Sequence, residues 1–153
     1  MPIIGTKHCI YDMISTSSNH ANHKGIENEI GCIWIVLSPV PWLHGVWLTS
    51  QLDMKMPEGP FTGQGLDTFD PIKKKFVSIW VDSMSATPVI LDGHRSADGK
   101  KITMTGKGPA PDGTSTDYKT ETEYVSKDKH IFKMWMGTTS GDPMMVATYN
   151  RKK

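Results

Sequence analysis

From Leu43 onward, apolar and polar residues alternate along the chain with a period of two. In one segment the apolar residues are Val46, Leu48, Leu52 and Met54, and most of the residues between them are polar. Side chains two residues apart point to the same face of a β-strand, whereas a helix would repeat every 3.6 residues. The pattern therefore predicts half-buried strands rather than helices.

Seven groups of turn-forming residues divide this part of the chain. Their spacing of about 14 residues is typical of short strands joined by tight hairpins. Seven reversals imply about eight strands after residue 43, and a sheet of that size avoids exposed edges by curling into a barrel. We therefore expect an all-β fold, an antiparallel up-and-down β-barrel. The predicted turns are Pro57-Glu58-Gly59, Asp70-Pro71, Ser83 to Ser85, Asp98-Gly99, Asp112-Gly113, Lys127-Asp128 and Gly141-Asp142.

Two of the predicted strands are apolar on both faces. One runs from Phe76 to Asp82 and the other from Ile131 to Met136. A strand of this kind is covered on both sides. We expect the barrel interior on one side and a helix, a chain segment or a second subunit on the other. The sequence leaves open which face of the strand 76–82 lines the interior.

The first 42 residues do not share this alternation. The stretch from Ser15 to Asn28 is polar and has no clear period, so we predict that Met1 to Asn22 is loosely ordered and that Lys24 to Ile30 forms a short helix at most. The chain is thus divided into a poorly ordered or atypical N-terminal segment, residues 1–42, and a β-barrel domain, residues 43–153.

Composition and charge argue against several classes of partner. Seventeen basic and sixteen acidic side chains give a net charge of +1, which provides no long-range field to attract nucleic acid or an anionic membrane. Two cysteines are too few for a disulfide framework, and we expect no secretory signal, because no basic segment leads into an apolar core and a small-residue cleavage site. We expect no membrane span, because Pro39 and Pro41 interrupt the longest apolar stretch. A cytoplasmic location is therefore expected.

Five segments resemble a known family: "LHGVWL", "MPEGPFTGQG", "FDPIKKKFVSIWVDSM", "LDGHRSADGKKITMTGKGP" and "VATYNRK". In order and spacing they are similar to the uncharacterised bacterial family catalogued as domain of unknown function 1579, over roughly Leu43 to Arg151. The resemblance implies a lipocalin-like β-barrel and no established activity, cofactor or catalytic residue. Family members usually open with a Gly-x-Trp strand, whereas Gly31 and Trp34 are one residue farther apart here.

Motifs that could carry catalysis or a cofactor are weak in this chain. Ser83 lacks the Gly-x-Ser-x-Gly turn of a nucleophilic serine. His20-x-x-His23 lies in a polar stretch that gives zinc ligands no rigid frame, so we interpret it as a solvated loop. Gly63-Gln64-Gly65 is not followed by a helix, so we predict a bulge or sharp bend there rather than a phosphate loop. No cofactor, metal site or catalytic residue is predicted.

The candidate site is the predicted inner wall of the barrel. A mostly apolar lining with a few polar groups is the usual form of a small-molecule site. Asp82 either caps its own turn or stands at the barrel mouth beside Trp80 as a polar handle. The methionines either fill the core or form an adaptable wall. The predicted ligand-contacting residues are Trp80, Asp82, Met104, Tyr118, Thr122, Tyr124 and Met134.

These observations lead to a binding module that holds a small, largely apolar ligand. Two alternatives stay open. One is an enzyme that acts on a small hydrophobic substrate in the same cavity, with Asp82 as a base. The other is a filled barrel that serves as an interaction protein, in which the doubly apolar strands would form the contact of a homo-oligomer.

Overall fold

The structure, a computed structural model, describes residues 9–17, 34–39, 46–56 and 59–151, and it describes the first two ranges and residue 56 by their backbone alone. Every regular element in these ranges is a β-strand. The strands are β1 (Cys9–Ser17), β2 (Trp34–Pro39), β3 (Trp47–Met56), β4 (Gly59–Asp70), β5 (Lys75–Asp82), β6 (Ser85–Arg95), β7 (Lys101–Pro109), β8 (Ser115–Ser126), β9 (Lys129–Met136) and β10 (Met145–Arg151).

The eight strands β3 to β10 form one curled sheet in sequence order. Each pairs antiparallel with the next, and every one of the seven predicted turns falls between two of them. The predicted antiparallel up-and-down architecture and its eight strands after residue 43 are therefore confirmed.

Strands β1 and β2, which the sequence analysis did not predict, join the two edges of this sheet. β1 pairs with β10 from Tyr11↔Arg151 to Ser17↔Met145 and also pairs with β2. β2 meets β3 at Pro39↔Leu48 and Ser38↔Thr49, so the ring is closed. The His20-x-x-His23 motif and the predicted helix 24–30 lie outside the described residues.

The pairing register decides which side chains face the interior. Residues directly opposite each other on neighbouring strands share a face of the sheet. Trp80 pairs with Val89, and Leu91 pairs with Gly106, which pairs with Tyr118. The side chains of Val89, Leu91 and Tyr118 are buried. The open question about the strand 76–82 is thereby answered, because Phe76, Ser78, Trp80 and Asp82 face inward.

Trp80 is the side chain that the two core clusters share. The first cluster is built on Leu52, Ala147 and Tyr149, with Met54, Phe61 and Phe132 packed against it. The second is built on Val89, Leu91 and Tyr118, with Met104, Met134 and Met136 packed against it. Trp80 packs against both clusters. One indole therefore connects the core on the β3–β10 side of the barrel to the core on the β6–β9 side.

Gly63 and Gly65 give that indole its space. A Cβ built on Gly63 would overlap the Trp80 ring, and one on Gly65 would overlap the Ser50 hydroxyl and approach the Trp80 ring to 3.3 Å. Of the bulge or sharp bend predicted at this position, the bulge is wrong, because β4 keeps its register with β3 along residues 59–68 and with β5 along residues 63–70. The bend stays a prediction. The register shift lies in the next strand, between Trp80 and Asp82.

The outer faces of the two doubly apolar strands differ. On β9, the outward-facing Trp135 is only 6% exposed, because its Nε1 donates to the carbonyl of Gly141 at 2.9 Å and the Lys119 ammonium lies 4.4 Å from its ring centroid. The predicted cover is therefore present there. On β5, Val81 remains 48% exposed, and no described segment covers this face.

We predict that Gly63→Ala will destabilise the protein by about 2 kcal/mol, because the new methyl group must displace the Trp80 ring from a packed position. Gly65→Ala is the matched comparison and should cost less, since its closest neighbour is a hydroxyl that can rotate away. Chemical denaturation measures both. Trp80→Leu should relieve the Gly63→Ala penalty, and an equal penalty in the two backgrounds would contradict this account.

Candidate ligand-binding site

All seven residues predicted to contact a ligand have inward-facing register positions. Trp80, Met104, Tyr118 and Met134 belong to one cluster of contacting side chains. Thr122 lies between Ile102 and Phe132 on the same wall. The other two lie apart, since Asp82 is in the last position of β5 and Tyr124 is near the end of β8, close to His130. Their contact with a ligand stays a prediction.

The carboxylate of Asp82 is engaged by its own strand and turn. Its Oδ1 accepts a hydrogen bond from the backbone N–H of Met84 at 2.9 Å, and its Oδ2 accepts one from Trp80 Nε1 at 2.9 Å. The first bond is the turn-capping contact that an aspartate after a strand commonly makes. The second fixes the indole in the barrel wall. In this arrangement Asp82 serves the packing of Trp80.

Tyr118 lies close enough to Asp82 to be affected by its charge. Burial and the Asp82 carboxylate raise the pKa of the Tyr118 hydroxyl, which donates a hydrogen bond to the carbonyl of Pro109 at 2.8 Å. The phenol is therefore neutral at physiological pH and held in place. Trp80, Asp82 and Tyr118 form a polar edge of the mostly apolar wall.

Asp67 is a second inward-facing carboxyl group. It pairs with Ser78 of β5 in the register and forms a side-chain hydrogen bond with it. Burial raises the pKa of this carboxyl above its ordinary value of 3.8, and the Ser78 hydrogen bond offsets that rise only in part. A carboxyl whose charged form is disfavoured by burial is a source of pH-dependent stability.

Thr120 brings an unsatisfied hydroxyl into the wall between Met104 and Met134. The residue is 5% exposed, and its Oγ1 has no hydrogen-bond partner among the described residues. A buried hydroxyl without a partner costs free energy. It is therefore the one buried side-chain polar atom in the described part of the wall that a bound molecule could satisfy.

The opposite end of the barrel from Asp82 is aromatic and carries a cation. We call it the Arg95 end, and it consists of Phe76, Arg95, Tyr124, His130 and Tyr149. His130 stacks on Tyr149 with ring centroids 4.6 Å apart and lies 6.0 Å from the Tyr124 ring. Burial lowers the pKa of His130 to about 4, and burial also raises the pKa of Tyr149. Both groups are uncharged at neutral pH.

Several polar residues of this interior were not predicted as site residues, among them Asp67, Arg95, Thr120 and His130. The inward position of Arg95 could have been predicted from the period-two alternation, because Leu91, Gly93 and Arg95 share one face of a strand. The same holds for Thr120, which lies between Tyr118 and Thr122 on one face. The strand 59–70 was not assigned an inner face from the sequence, so Asp67 was missed.

The outer surface of β3, β4 and β5 carries a groove of about 320 Å³. Most of its lining side chains face outward, including Gln51, Gln64, Leu66, Ile79 and Val81. It lies on the opposite side of the sheet from Trp80 and contains no aromatic side chain. This groove is an alternative ligand site to the barrel interior, so a binding experiment needs a control variant in the groove.

Groupings that would suggest a metal are not found in the described ranges, where no set of three or more His, Cys, Asp or Glu residues is close enough to hold an ion. Among the residues that the structure describes, no helix is long and apolar enough to cross a membrane.

We predict that Asp82→Asn will cost about 1–2 kcal/mol of stability, because an asparagine has one accepting oxygen for two donors. In a Trp80→Phe background the indole donor is gone, and the same substitution should cost about 1 kcal/mol less. Denaturant unfolding of the four proteins in this double-mutant cycle measures the difference. Equal costs in the two backgrounds would show that the Trp80–Asp82 bond contributes nothing.

Asp67 gives a prediction about pH. Folding raises the pKa of its carboxyl, so its contribution to stability is greatest below about pH 3.8 and is lost as the pH rises through the folded-state pKa. Asp67→Asn should therefore be more stable than the wild type at neutral pH and equal to it at low pH. Ser78→Ala should deepen the loss, since it removes a hydrogen bond to the carboxylate. Thermal unfolding from pH 3 to 7 tests this, and an unchanged profile in Asp67→Asn would contradict it.

The comparison with known families extends the earlier resemblance. No functionally described protein matches the chain at a significant level. The sequence profile of the family described as "Protein of unknown function (DUF1579)" matches residues 19–151, which begins upstream of the segments that first suggested it. Since the match spans well over half of the 153 residues, the chain belongs to the DUF1579 family.

Proposed function

We propose that this protein binds a small, largely apolar molecule inside the barrel. The observation that carries the proposal is the incomplete burial of its inner wall. Trp80, Met104, Phe132 and Met134 face inward and pack against the core clusters, yet each is only half-buried. In a solidly packed interior, large side chains of this kind lose nearly all their exposed surface.

The burial of the other large side chains supports the same conclusion. None of those in the described ranges is less than 2% exposed. The free energy gained by covering apolar surface is about 25 cal/mol per Å², so the wall favours an apolar occupant. The methionines add adaptability, because unbranched thioether side chains repack around irregular shapes.

The closed ring is also consistent with a ligand-holding interior. Eight strands enclose just enough space for side chains or one small ligand. β1 and β2 bring the ring to ten strands in the described part of the chain, and the diameter of a barrel grows with its strand number. The proposed ligand is held by packing, and no covalent step is involved.

Native mass spectrometry of gently purified protein, before and after extraction with organic solvent, tests for a co-purifying molecule. Titration with Nile red, a neutral apolar fluorophore, tests the emptied protein directly. We expect a blue shift and a rise in its emission that saturate at one molecule per chain. A protein that carries no small molecule and leaves Nile red emission unchanged would refute the proposal.

Two substitutions distinguish the interior from the outer groove. Thr122→Phe places a ring in the barrel, and we expect it to weaken Nile red binding by about tenfold or more through steric exclusion. Leu66→Phe places the same ring in the outer groove and should leave binding unchanged. Circular dichroism confirms that both variants fold. The opposite result would place the fluorophore in the groove and contradict the proposal.

A further inference from the structure

Arg95 faces inward and has no polar partner among the residues that the structure describes. It follows Leu91 and Gly93 on the inner face of β6 and pairs with the buried Ile102. Its guanidinium carbon lies 5.6 Å from the centroid of the Phe76 ring and 5.7 Å from that of Tyr124. Both rings are also on the inner face. The side chain is therefore at the rim of the interior and remains exposed.

The guanidinium makes no ion pair or hydrogen bond with any described residue. Cations on the outer face of nearby strands do pair with carboxylates, as in Lys75–Asp92 at 3.0 Å and Lys107–Asp117 at 2.7 Å. Contact with ring faces leaves the N–H donors of an arginine unused, since these donors lie in the plane of the group. The N–H groups of Arg95, which have no acceptor among the described residues, thus lie beside an apolar interior.

Arg95 also determines the sign of the charge at its end of the barrel. His130 and Tyr149 are neutral at pH 7, because burial lowers the pKa of the first to about 4 and raises that of the second. The inward-facing carboxyl groups lie elsewhere, since Asp82 is at the other end and Asp67, whose charged form is disfavoured by burial, pairs with Ser78 farther along the wall. In a molecule with an apolar body and one anionic group, Arg95 would attract the anionic group and Asp82 would repel it. Both ends therefore favour the orientation that places the anionic group at Arg95.

We infer that the ligand is an apolar molecule with a carboxylate, and that Arg95 binds this carboxylate at the rim while the apolar body contacts Trp80 and the methionines. A planar guanidinium matches a carboxylate with two parallel hydrogen bonds, which an ammonium group does not. The flanking rings of Phe76 and Tyr124 hold the guanidinium plane in position for this contact. The inference rests on the proposed function, since it assigns the head group of the same ligand.

Displacement of bound Nile red by decanoate and by 1-decanol tests it, because the two compounds share the apolar chain and differ in the head group. We expect decanoate to bind about tenfold more tightly than 1-decanol, and the preference to shrink at high salt. Arg95→Gln should weaken decanoate binding by about tenfold and leave 1-decanol unchanged, whereas Arg95→Lys should retain part of the preference. Lys107→Gln, which removes an exposed cation from the outer wall, is the matched control and should change neither.

The outcomes separate the two proposals. Equal binding of acid and alcohol by the wild type, or a preference that survives Arg95→Gln, would overturn the assignment of Arg95 while leaving an apolar binding site in place. Failure of Nile red and of both decyl compounds to bind would refute the proposed function and the inference with it. The acid-to-alcohol ratio and its salt dependence are measured on the wild-type protein, so they decide the question even if Arg95→Gln fails to fold.

Discussion

The packing of the Trp80 indole over two glycines is the contact on which the barrel interior depends. The ring touches both core clusters, and its Nε1 is tied to Asp82 at 2.9 Å. A side chain at residue 63 would push the ring away from the wall, because any Cβ at Gly63 overlaps the ring. A Cβ at Gly65 would approach the same ring to 3.3 Å. This one contact thus explains the two glycines of β4 and the tryptophan and the aspartate of β5. The register shift between Trp80 and Asp82 allows the strand to turn directly after it.

The aspartate after this tryptophan combines two roles that the sequence presented as alternatives. One carboxylate oxygen caps the turn and the other holds the indole, so the residue that ends the strand also positions the wall. Buried N–H donors are nearly always paired in folded proteins, and the indole would otherwise leave its donor beside apolar side chains. The polarity of Asp82 is therefore needed for the packing itself, whatever the barrel holds.

Alternation and turn chemistry were sufficient to predict the strands after residue 43, because both are local properties of the chain. The pairing partner of each strand followed from hairpin connectivity. β1 and β2 could not be found in this way, since β1 obtains its hydrogen bonds from β10 at the far end of the sequence.

Gly63 was misassigned for a similar reason. A glycine that relieves a contact with the neighbouring strand has the same sequence signature as a glycine in a bulge, and only the position of Trp80 distinguishes the two. The seven predicted site residues all have inward-facing positions, but the sequence could not show that Asp82 and Tyr124 belong to opposite ends.

The two ends of the interior differ in charge, so an anionic ligand would have one preferred orientation in the barrel. His130 and Tyr149 are neutral at pH 7, because burial lowers the pKa of the histidine to about 4 and raises that of the tyrosine above an ordinary value of 10.0. Neither group adds a charge beside Arg95. Asp82 is held by the turn at the other end. Between them the wall consists mainly of aromatic, aliphatic and thioether side chains, and it also carries the Asp67 carboxyl and one unsatisfied hydroxyl, that of Thr120. An apolar molecule without a head group would gain the burial of its surface in either orientation. A molecule with a single anionic group would gain an additional interaction in one orientation only. In the proposed site the rim would supply the specificity and the wall most of the affinity.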